Sequence, residues 1–192
     1  MNQRQVGEHT ESFGAALRAA LREDPDVILV GEMRDLETVA MAIETAETGH
    51  LVLGTLHTSS AARTVDRIID QFPADRQEQV RTMLASSLKG VISQMLCRKI
   101  GGGGRVPALE VLIGTPSVAN LIREGKTFQI PSMMQTGRRL GMRLMNDSLL
   151  ELVKNGIVEP SEALAKSGDK AGLMAMLRSN GIEVELPAQA VA

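Results

Sequence analysis

The sequence contains very few aromatic residues and a single cysteine. Its 192 residues include three Phe, no Trp and no Tyr, against 11 Met, so aliphatic and Met side chains must fill most of the core. One cysteine, Cys97, excludes an internal disulfide and a zinc ribbon built from this chain alone. That usage fits a reducing compartment.

Long apolar runs and an excess of charge of one sign are also lacking. No apolar stretch approaches the roughly 18 residues typical of a membrane-spanning helix, and there is no signal-peptide pattern. We therefore expect a cytosolic chain without direct membrane insertion. The 21 basic and 23 acidic residues give a formal net charge of −2, which excludes a global field steering the chain to nucleic acid or anionic lipid.

The P-loop pattern G-x-x-x-x-G-K-[ST] does not occur in the 192 residues. Such a loop lies between a strand and a helix, with its Lys on the phosphates and its hydroxyl on Mg²⁺. Gly101–Gly104 with Arg105 lack the Lys-Ser/Thr pair and follow a predicted helix, so we interpret them as a turn. Arg138, Arg139 and Arg143 are interpreted as a solvated basic face.

The stretch from Asp26 to Asp35 carries the most informative pattern. Val27–Val30 are consecutive apolar residues rich in β-branched types, which predicts a strand buried on both faces of a parallel sheet. Glu32 follows where this strand would end, and open α/β sheets bind ligands at the carboxyl ends of their strands. A carboxylate there is placed to hold a Mg²⁺-bound water beside a nucleotide phosphate, as in a Walker B element. The alternative is that Glu32 caps the following helix.

A second strand candidate, Leu51–Leu56, ends just before His57. A helix between the two strands would make a βαβ unit, whose parallel strands end on the same edge of the sheet. His57 is therefore expected near Glu32, where an imidazole can donate a hydrogen bond to a phosphate oxygen; the alternative is an ordinary loop histidine. His50 precedes the strand, roughly 23 Å from His57 at about 3.3 Å per residue, so the two cannot ligate one metal within a subunit.

Most of the remaining chain is predicted to be helical. A long helix is expected from about Asp75 to Lys99, with Cys97 as a small core residue on its apolar side. A strand is expected over Arg105–Ile113. Further helices are predicted at about 13–21, 36–48, 61–69, 117–124, 147–155, after 160 and at about 169–179, and the tail from Glu183 is expected to fray.

Three motifs in this order resemble those of the PilT-like type IV pilus retraction ATPases of the secretion-ATPase superfamily. Residues 21–38, LREDPDVILVGEMRDLET, look like the family's Walker B region, and residues 46–58, AETGHLVLGTLHT, look like its histidine box. Residues 114–124, GTPSVANLIRE, are similar to its AIRNLIRE motif, with Val118-Ala119 in place of the usual Ile-Arg. The resemblance covers about residues 1–165 and concerns the C-terminal part of those proteins.

The resemblance implies roles for individual residues. Glu32 looks like the Walker B acid that organises Mg²⁺, through water, and the attacking water. His57 looks like the histidine that senses the γ-phosphate, and His50 is the first histidine of the box. With Gly31, these residues are expected at the ATP site. The surface that couples the motor to its machinery would be formed by Asn120, Leu121, Ile122, Arg123 and Glu124.

The resemblance also implies a fold class and an assembly. We expect an α/β fold: a RecA-like three-layer parallel-sheet core over residues 1–113, partial because the P-loop strand and helix are lacking. A small all-helical C-terminal region, 114–192, would follow, with the AIRNLIRE-like motif at 117–124 and a frayed tail. The family implies a homo-hexameric ATPase ring in the cytoplasm, at the inner-membrane base of the pilus. There it would act with an inner-membrane platform protein and drive pilus retraction and twitching motility.

The sequence lacks the family's Walker A loop, its acidic box with the catalytic Glu and arginine fingers, and its PAS-like domain; we expect the chain to begin just after them. We predict that this chain alone neither binds Mg-ATP tightly nor hydrolyses it, and that an uncovered sheet face promotes its association. One alternative is a pilus-assembly or type II secretion ATPase, although those relatives usually carry a tetracysteine zinc element. Another is a non-catalytic ring subunit or regulator.

Overall fold

The computed structural model describes residues 1–184, which form two compact units that alternate along the chain. The first unit consists of residues 1–58, 64–89 and 115–127. The second consists of residues 59–63, 90–114 and the described residues from 128 onward. The division of the chain at residue 113 into two domains stays a prediction.

Helices account for most of the regular structure. In chain order they are α1 (Phe13–Ala20), α2 (Leu36–Glu47), α3 (Ala61–Ile69), α4 (Ala74–Ser87), α5 (Pro116–Arg123), α6 (Ile130–Thr136), α7 (Met145–Lys154), α8 (Pro160–Lys166) and α9 (Lys170–Ser179). Short 3-10 turns cover Leu21–Glu23, Ile100–Gly102, Thr127–Gln129 and Gly137–Leu140. Within residues 1–184, no helix is both long and apolar enough to cross a membrane.

The strands of the described residues form two separate pairs. In the first unit, β1 (Val27–Val30) pairs in parallel with β2 (Leu51–Gly54), so that Val27 lies opposite Leu51 and Val30 opposite Gly54. With α2 between them, they form the predicted βαβ unit. In the second unit, β3 (Gly90–Arg98) and β4 (Arg105–Ile113) form an antiparallel hairpin, whose turn contains the glycine run from Gly101.

Side-chain caps fix the starts of α1 and α2. The Ser12 hydroxyl accepts the N–H of Ala15, and the Asp35 carboxylate accepts the N–H of Thr38. Each cap satisfies a backbone donor that the first helical turn would otherwise leave unpaired. Asp35, not Glu32, therefore caps the helix that follows β1.

The prediction that β1 is buried on both faces is wrong for this chain. Ile28 and Val30 are buried and pack with Leu17 of α1. Val27 and Leu29, on the opposite face, are 54% and 71% exposed. Within the described residues, the helices therefore cover one face of the β1–β2 pair.

The prediction of a single helix from Asp75 to Lys99 is also wrong. Helix α4 ends at Ser87, Leu88 has extended backbone angles, and β3 begins at Gly90. The physical reason is that residues 90–98 pair with β4 over their whole length. Their alternating burial, with Ser93 and Cys97 inward, is that of a strand.

Helices α7 to α9 pack with the inner face of the hairpin to form the core of the second unit. Its fully buried members include Cys97, Ala108, Leu149, Leu173 and Leu177. Burial raises the pKa of the Cys97 thiol, consistent with the predicted core role, although Cys97 lies on a strand and not on a helix. The predicted fraying tail falls largely on residues 185–192, outside the described residues.

Candidate functional site

The carboxyl ends of β1 and β2 bring Glu32 and His57 into contact. Nε2 of His57 lies 2.8 Å from Oε1 of Glu32. Because Val30 lies opposite Gly54 in the parallel register, the residues that follow the two strands leave the sheet side by side. The expected proximity of Glu32 and His57 is therefore present, while their catalytic roles stay predictions.

Two hydrogen bonds fix the segments that carry these side chains. The Met33 N–H donates to the Thr55 carbonyl at 3.0 Å, and the Thr55 hydroxyl donates to the Gly31 carbonyl at 2.5 Å. The absence of a side chain at Gly54 leaves room for the Met33 side chain, since a Cβ there would lie 2.6 Å from Cε of Met33. The predicted site residue Gly31 thus takes part in holding the two strand ends together.

Arg34 is the member of this site that the sequence interpretation missed. Its Nε donates to Oε1 of Glu32, the same oxygen that faces His57. The rest of its side chain is in solvent, since 74% of it is exposed. Its position two residues after the acid, in Glu32-Met33-Arg34, was a signal in the sequence, because a cation beside a carboxylate at a strand end suits an anionic ligand.

These contacts keep Glu32 ionised. The hydrogen bond from Arg34 is the largest cause that lowers the pKa of the Glu32 carboxyl, and the hydrogen bond with His57 adds to it. Partial burial opposes both; the side chain is 22% exposed. At neutral pH, Glu32 is therefore an anionic acceptor flanked by two groups that can donate hydrogen bonds.

His50 lies at the other end of β2 from His57. Its Nδ1 is 3.1 Å from the Thr48 hydroxyl and 3.2 Å from the Thr45 carbonyl, at the C-terminal end of α2. The structure does not bring His50 to the Glu32–His57 contact. Its assignment to nucleotide binding stays a prediction.

The predicted coupling motif occupies the second half of α5 and its C-terminal cap. Ile122 is buried, whereas Asn120, Arg123 and Glu124 are exposed. Arg123 donates to the Asn120 side chain at 2.7 Å, and Lys126 lowers the pKa of the Glu124 carboxyl. The motif therefore presents an ordered polar surface, with Leu121 half-buried beside it.

The donor set at the strand ends fits a nucleotide-borne Mg²⁺ and not a metal cage made by protein alone. Among residues 1–184, no group of three or more His, Cys, Asp or Glu side chains could hold a metal. In nucleotide sites, Mg²⁺ keeps several waters and takes one or two carboxylates together with phosphate oxygens. A single ionised, partly exposed carboxylate such as Glu32 suits that arrangement, with contact through water.

The sequence matches the family model described as "Type II/IV secretion system protein" over residues 1–166. A twitching motility protein of Neisseria gonorrhoeae is 58% identical over 163 residues, 85% of this chain and 44% of that protein. The type IV pilus retraction ATPase PilT of Pseudomonas aeruginosa is 56% identical over 167 residues, 87% of this chain and 48% of that protein. The chain thus spans about half the length of these curated relatives.

Solved structures of two ATPases share the fold. A crystal structure of the pilus retraction motor PilT with bound ADP matches with a TM-score of 0.84 and 55% identity, over 91% of this chain and 49% of that chain. The ATPase DotB of Legionella pneumophila matches with a TM-score of 0.75 and 30% identity, over 84% of this chain and 44% of that chain. The predicted α/β class is confirmed, and so is the predicted resemblance to pilus retraction ATPases.

Proposed function

The chain belongs to the type II/IV secretion system protein family, and from this premise we propose that it contains the Walker B and histidine-box part of a type IV pilus retraction ATPase. The observation that carries the proposal is the contact between Glu32 and His57 at the carboxyl ends of two parallel strands. Identities of 58% and 56% to a twitching motility protein and a retraction ATPase support it.

In this proposal, ATP and Mg²⁺ are the ligands of the strand ends. Glu32 would hold Mg²⁺ through water and orient the attacking water, and the ion would supply positive charge beside the phosphates. His57 would donate a ring N–H to a γ-phosphate oxygen, and Arg34, anchored to Glu32 through Nε, would direct its remaining N–H groups to the same anion.

The proposed setting follows the relatives. The intact protein would form a homo-hexameric ring in the cytoplasm, at the inner-membrane base of the pilus, and couple ATP hydrolysis to pilin disassembly. The exposed side chains of Asn120, Arg123 and Glu124 would face the machinery, including an inner-membrane platform protein. Their fixed arrangement on α5 supports a docking role.

The 192-residue chain by itself should not turn over ATP. The phosphate loop that would bind the β-phosphate is not in this sequence, and electrostatic stabilisation of phosphoryl transfer needs all of its parts. Titration with Mg-ATP should give no tight binding, and a phosphate-release assay should give no turnover. Robust Mg²⁺-dependent hydrolysis that Glu32→Gln abolishes would overturn this assignment.

A chimera tests the proposed biological role. The matching 167 residues of the Pseudomonas aeruginosa retraction ATPase are replaced by those of this chain, and the chimera is expressed in a strain lacking that ATPase. Twitching motility should return, because the replaced segment would supply the same strand ends and coupling surface. The matched control is the same chimera with Glu32→Gln, which should not restore movement.

The chimera also separates the alternatives. A chimera that accumulates normally and hydrolyses ATP, but leaves twitching absent, would indicate a pilus-assembly or secretion ATPase. A chimera that joins rings of the intact motor and lowers their turnover would indicate a non-catalytic subunit. Either result would contradict the proposed retraction function.

A further inference from the structure

The surroundings of His50 show which of its ring nitrogens carries the proton. A neutral imidazole has one N–H, so the nitrogen that faces an acceptor must be the protonated one. Nδ1 of His50 lies 3.2 Å from the carbonyl oxygen of Thr45. A carbonyl oxygen can only accept a hydrogen bond, so Nδ1 is the donor.

The Thr48 hydroxyl supports the same assignment. It donates to the Thr45 carbonyl at 2.8 Å, and this uses its one proton. Its oxygen lies 3.1 Å from Nδ1 of His50 and is left to accept. Nδ1 therefore faces two acceptors in this cluster, which fixes the neutral ring as the Nδ1–H tautomer.

The Thr45 carbonyl needs these donors because it lies in the last turn of α2, where carbonyls have no partner within the helix. The Gly49 N–H would reach it if the helix continued, but this N–H donates to the Ala46 carbonyl at 3.1 Å. Thr45 is 3% exposed, and an unpaired buried carbonyl is costly. The Thr48 hydroxyl and the His50 ring together therefore cap the C-terminal end of α2.

This cap lies where the chain turns from α2 into β2. Gly49 has a φ of +103°, a left-handed conformation that glycine adopts without steric cost, and His50 follows it directly. The next residue, Leu51, begins β2, and its N–H donates to the Asp26 carbonyl at 3.0 Å, just before β1. A ring anchored to α2 therefore limits where β2 can begin beside β1.

The other ring nitrogen of His50 faces no hydrogen-bond partner within residues 1–184. In the Nδ1–H tautomer, Nε2 has a lone pair and no proton, so it can only accept. The oxygens of a nucleotide phosphate also only accept. A neutral His50 ring that caps α2 therefore has no N–H left to donate to a phosphate.

We propose that His50 is a positioning residue: held as the Nδ1–H tautomer, it caps α2 and fixes the start of β2, and its neutral ring does not donate to phosphate. The family resemblance implies a different role, at the ATP site. The statement on phosphate rests on the proposed function, whereas the tautomer and the cap are properties of the free chain.

The first test reads the tautomer from two-bond ¹H–¹⁵N correlations of the histidine rings in the full chain. The spectrum is recorded at about pH 8, above the ordinary histidine pKa of about 6.5. His50 should show a protonated Nδ1 and a proton-free Nε2. His9 is the internal control, because its Nδ1 accepts the Gln5 N–H at 3.3 Å and so requires the opposite tautomer. A proton-free Nδ1 in His50 would overturn the proposal.

The second test compares two amide side chains at position 50. The NH₂ group of Asn lies near the place of Nδ1 in histidine, whereas that of Gln lies further out, near the place of Nε2. His50→Asn should therefore keep the cap, and His50→Gln should lose it. Losing a neutral hydrogen bond changes an equilibrium by about 2–10-fold. Amide exchange at Leu51 should accelerate by about that factor in His50→Gln and stay close to the original rate in His50→Asn.

Equal exchange rates at Leu51 in the two variants would contradict the positioning role. Faster exchange in His50→Asn than in His50→Gln would also contradict it, because a ring that only fills space is replaced worse by the smaller side chain. If either variant does not fold, the tautomer spectrum decides alone, since it needs no substitution. Failure of the chimera above would refute the retraction function and leave both NMR results unaffected.

Discussion

At the scale of single residues, one carboxylate oxygen organises the candidate site. Oε1 of Glu32 faces both Arg34 and His57, so the acid is held in place before any ligand arrives. Such preorganisation is what electrostatic catalysis requires, because the groups then need not reorient during the reaction. Glu32 and His57 could be predicted from sequence, since both follow apolar strand candidates.

Removing Arg34 should raise the pKa of the Glu32 carboxyl. The hydrogen bond from Arg34 is the largest cause of its lowering, so in Arg34→Gln the pKa should return toward the ordinary value of about 4.3. Carboxyl ¹³C shifts followed through an acid titration measure this. Arg18→Gln is the control, because Arg18 pairs with the exposed Glu37. An unchanged Glu32 pKa in Arg34→Gln would mean that the contact is absent in solution.

Because Asp35 caps α2 as a carboxylate, part of the unfolding free energy should depend on pH. The Thr38 N–H is the largest cause that lowers the pKa of its carboxyl. A carboxyl whose pKa is lower in the folded state stabilises the fold at pH values above its unfolded pKa of about 3.9. This stabilisation is lost as the pH falls through the lower pKa of the folded state.

The matching variant is Asp35→Ala, which removes the cap of α2. It should cost about 1 kcal/mol of unfolding free energy at pH 7, and the difference from the unsubstituted chain should shrink as the pH falls below the ordinary aspartate pKa of about 3.9. Chemical denaturation at the two pH values measures both. A pH-independent difference would contradict the role assigned to the Asp35 charge.

At the scale of elements, local signals were sufficient for β1, α2 and β2 but not for β3. The helix between the strands has its cap at Asp35, and both strands are short apolar runs bounded by polar residues. Residues 80–96 carry apolar side chains that fit a helical spacing, which predicts a helix. The partner that makes residues 90–98 a strand lies further along the chain, in β4, and a spacing pattern contains no information on such pairing.

Gly90 is the first residue of β3, shortly after α4 ends. Replacing it should change the unfolding free energy. A Cβ at Gly90 would lie 2.9 Å from the Leu112 carbonyl oxygen of β4. Gly90→Ala should therefore force the hairpin apart and lower the unfolding free energy by about 1–3 kcal/mol. Gly103→Ala is the matched control, because it meets nothing within 4 Å and its φ is −75°. Equal denaturation midpoints for the two variants would refute the close approach.

Contacts between distant segments of the chain also explain why Glu110, a buried acceptor of two backbone N–H groups, could not be recognised from the sequence. In sequence it is one acid within the strand Arg105–Ile113, and its two partners, Ala61 and Met145, belong to helices far away along the chain. Only the assembled second unit places them together. Arg34 was missed for a different reason. Its place two residues after Glu32 was a signal, but a cation near a carboxylate is common, and only the structure shows that the two are hydrogen-bonded.

At the scale of the whole molecule, the uncovered face of the β1–β2 pair should make the chain associate. Val27, Leu29, Leu51 and Leu53 are all apolar and all exposed, and contiguous apolar surface of this kind promotes association. Light scattering of the chain should give a mass above the 20.6 kDa of one copy.

Replacing Leu29 by Thr should lower that association. Leu29 has the largest exposure of the four, and Thr keeps the β-branched shape that suits a strand. Phe128→Ser is the control, because it removes an equally exposed apolar side chain, 75% in solvent, from the second unit. A clean monomer for the unsubstituted chain would contradict the prediction, as would an equal effect of the two variants.

The central claim is that Glu32 and His57 form the strand-end part of an ATP site. The most direct test is the steady-state ATP turnover of the purified chimera that carries this chain's segment within the Pseudomonas retraction ATPase. We predict Mg²⁺-dependent turnover close to that of the parent, and a loss of about 100-fold or more in Glu32→Gln, the size of effect expected for a positioned catalytic group. His57→Ala should also lower turnover. His50→Ala is compared with it, because His50 lies at the other end of β2 and does not contact Glu32. Turnover that Glu32→Gln leaves intact, in a chimera that assembles and binds ADP, would contradict the account.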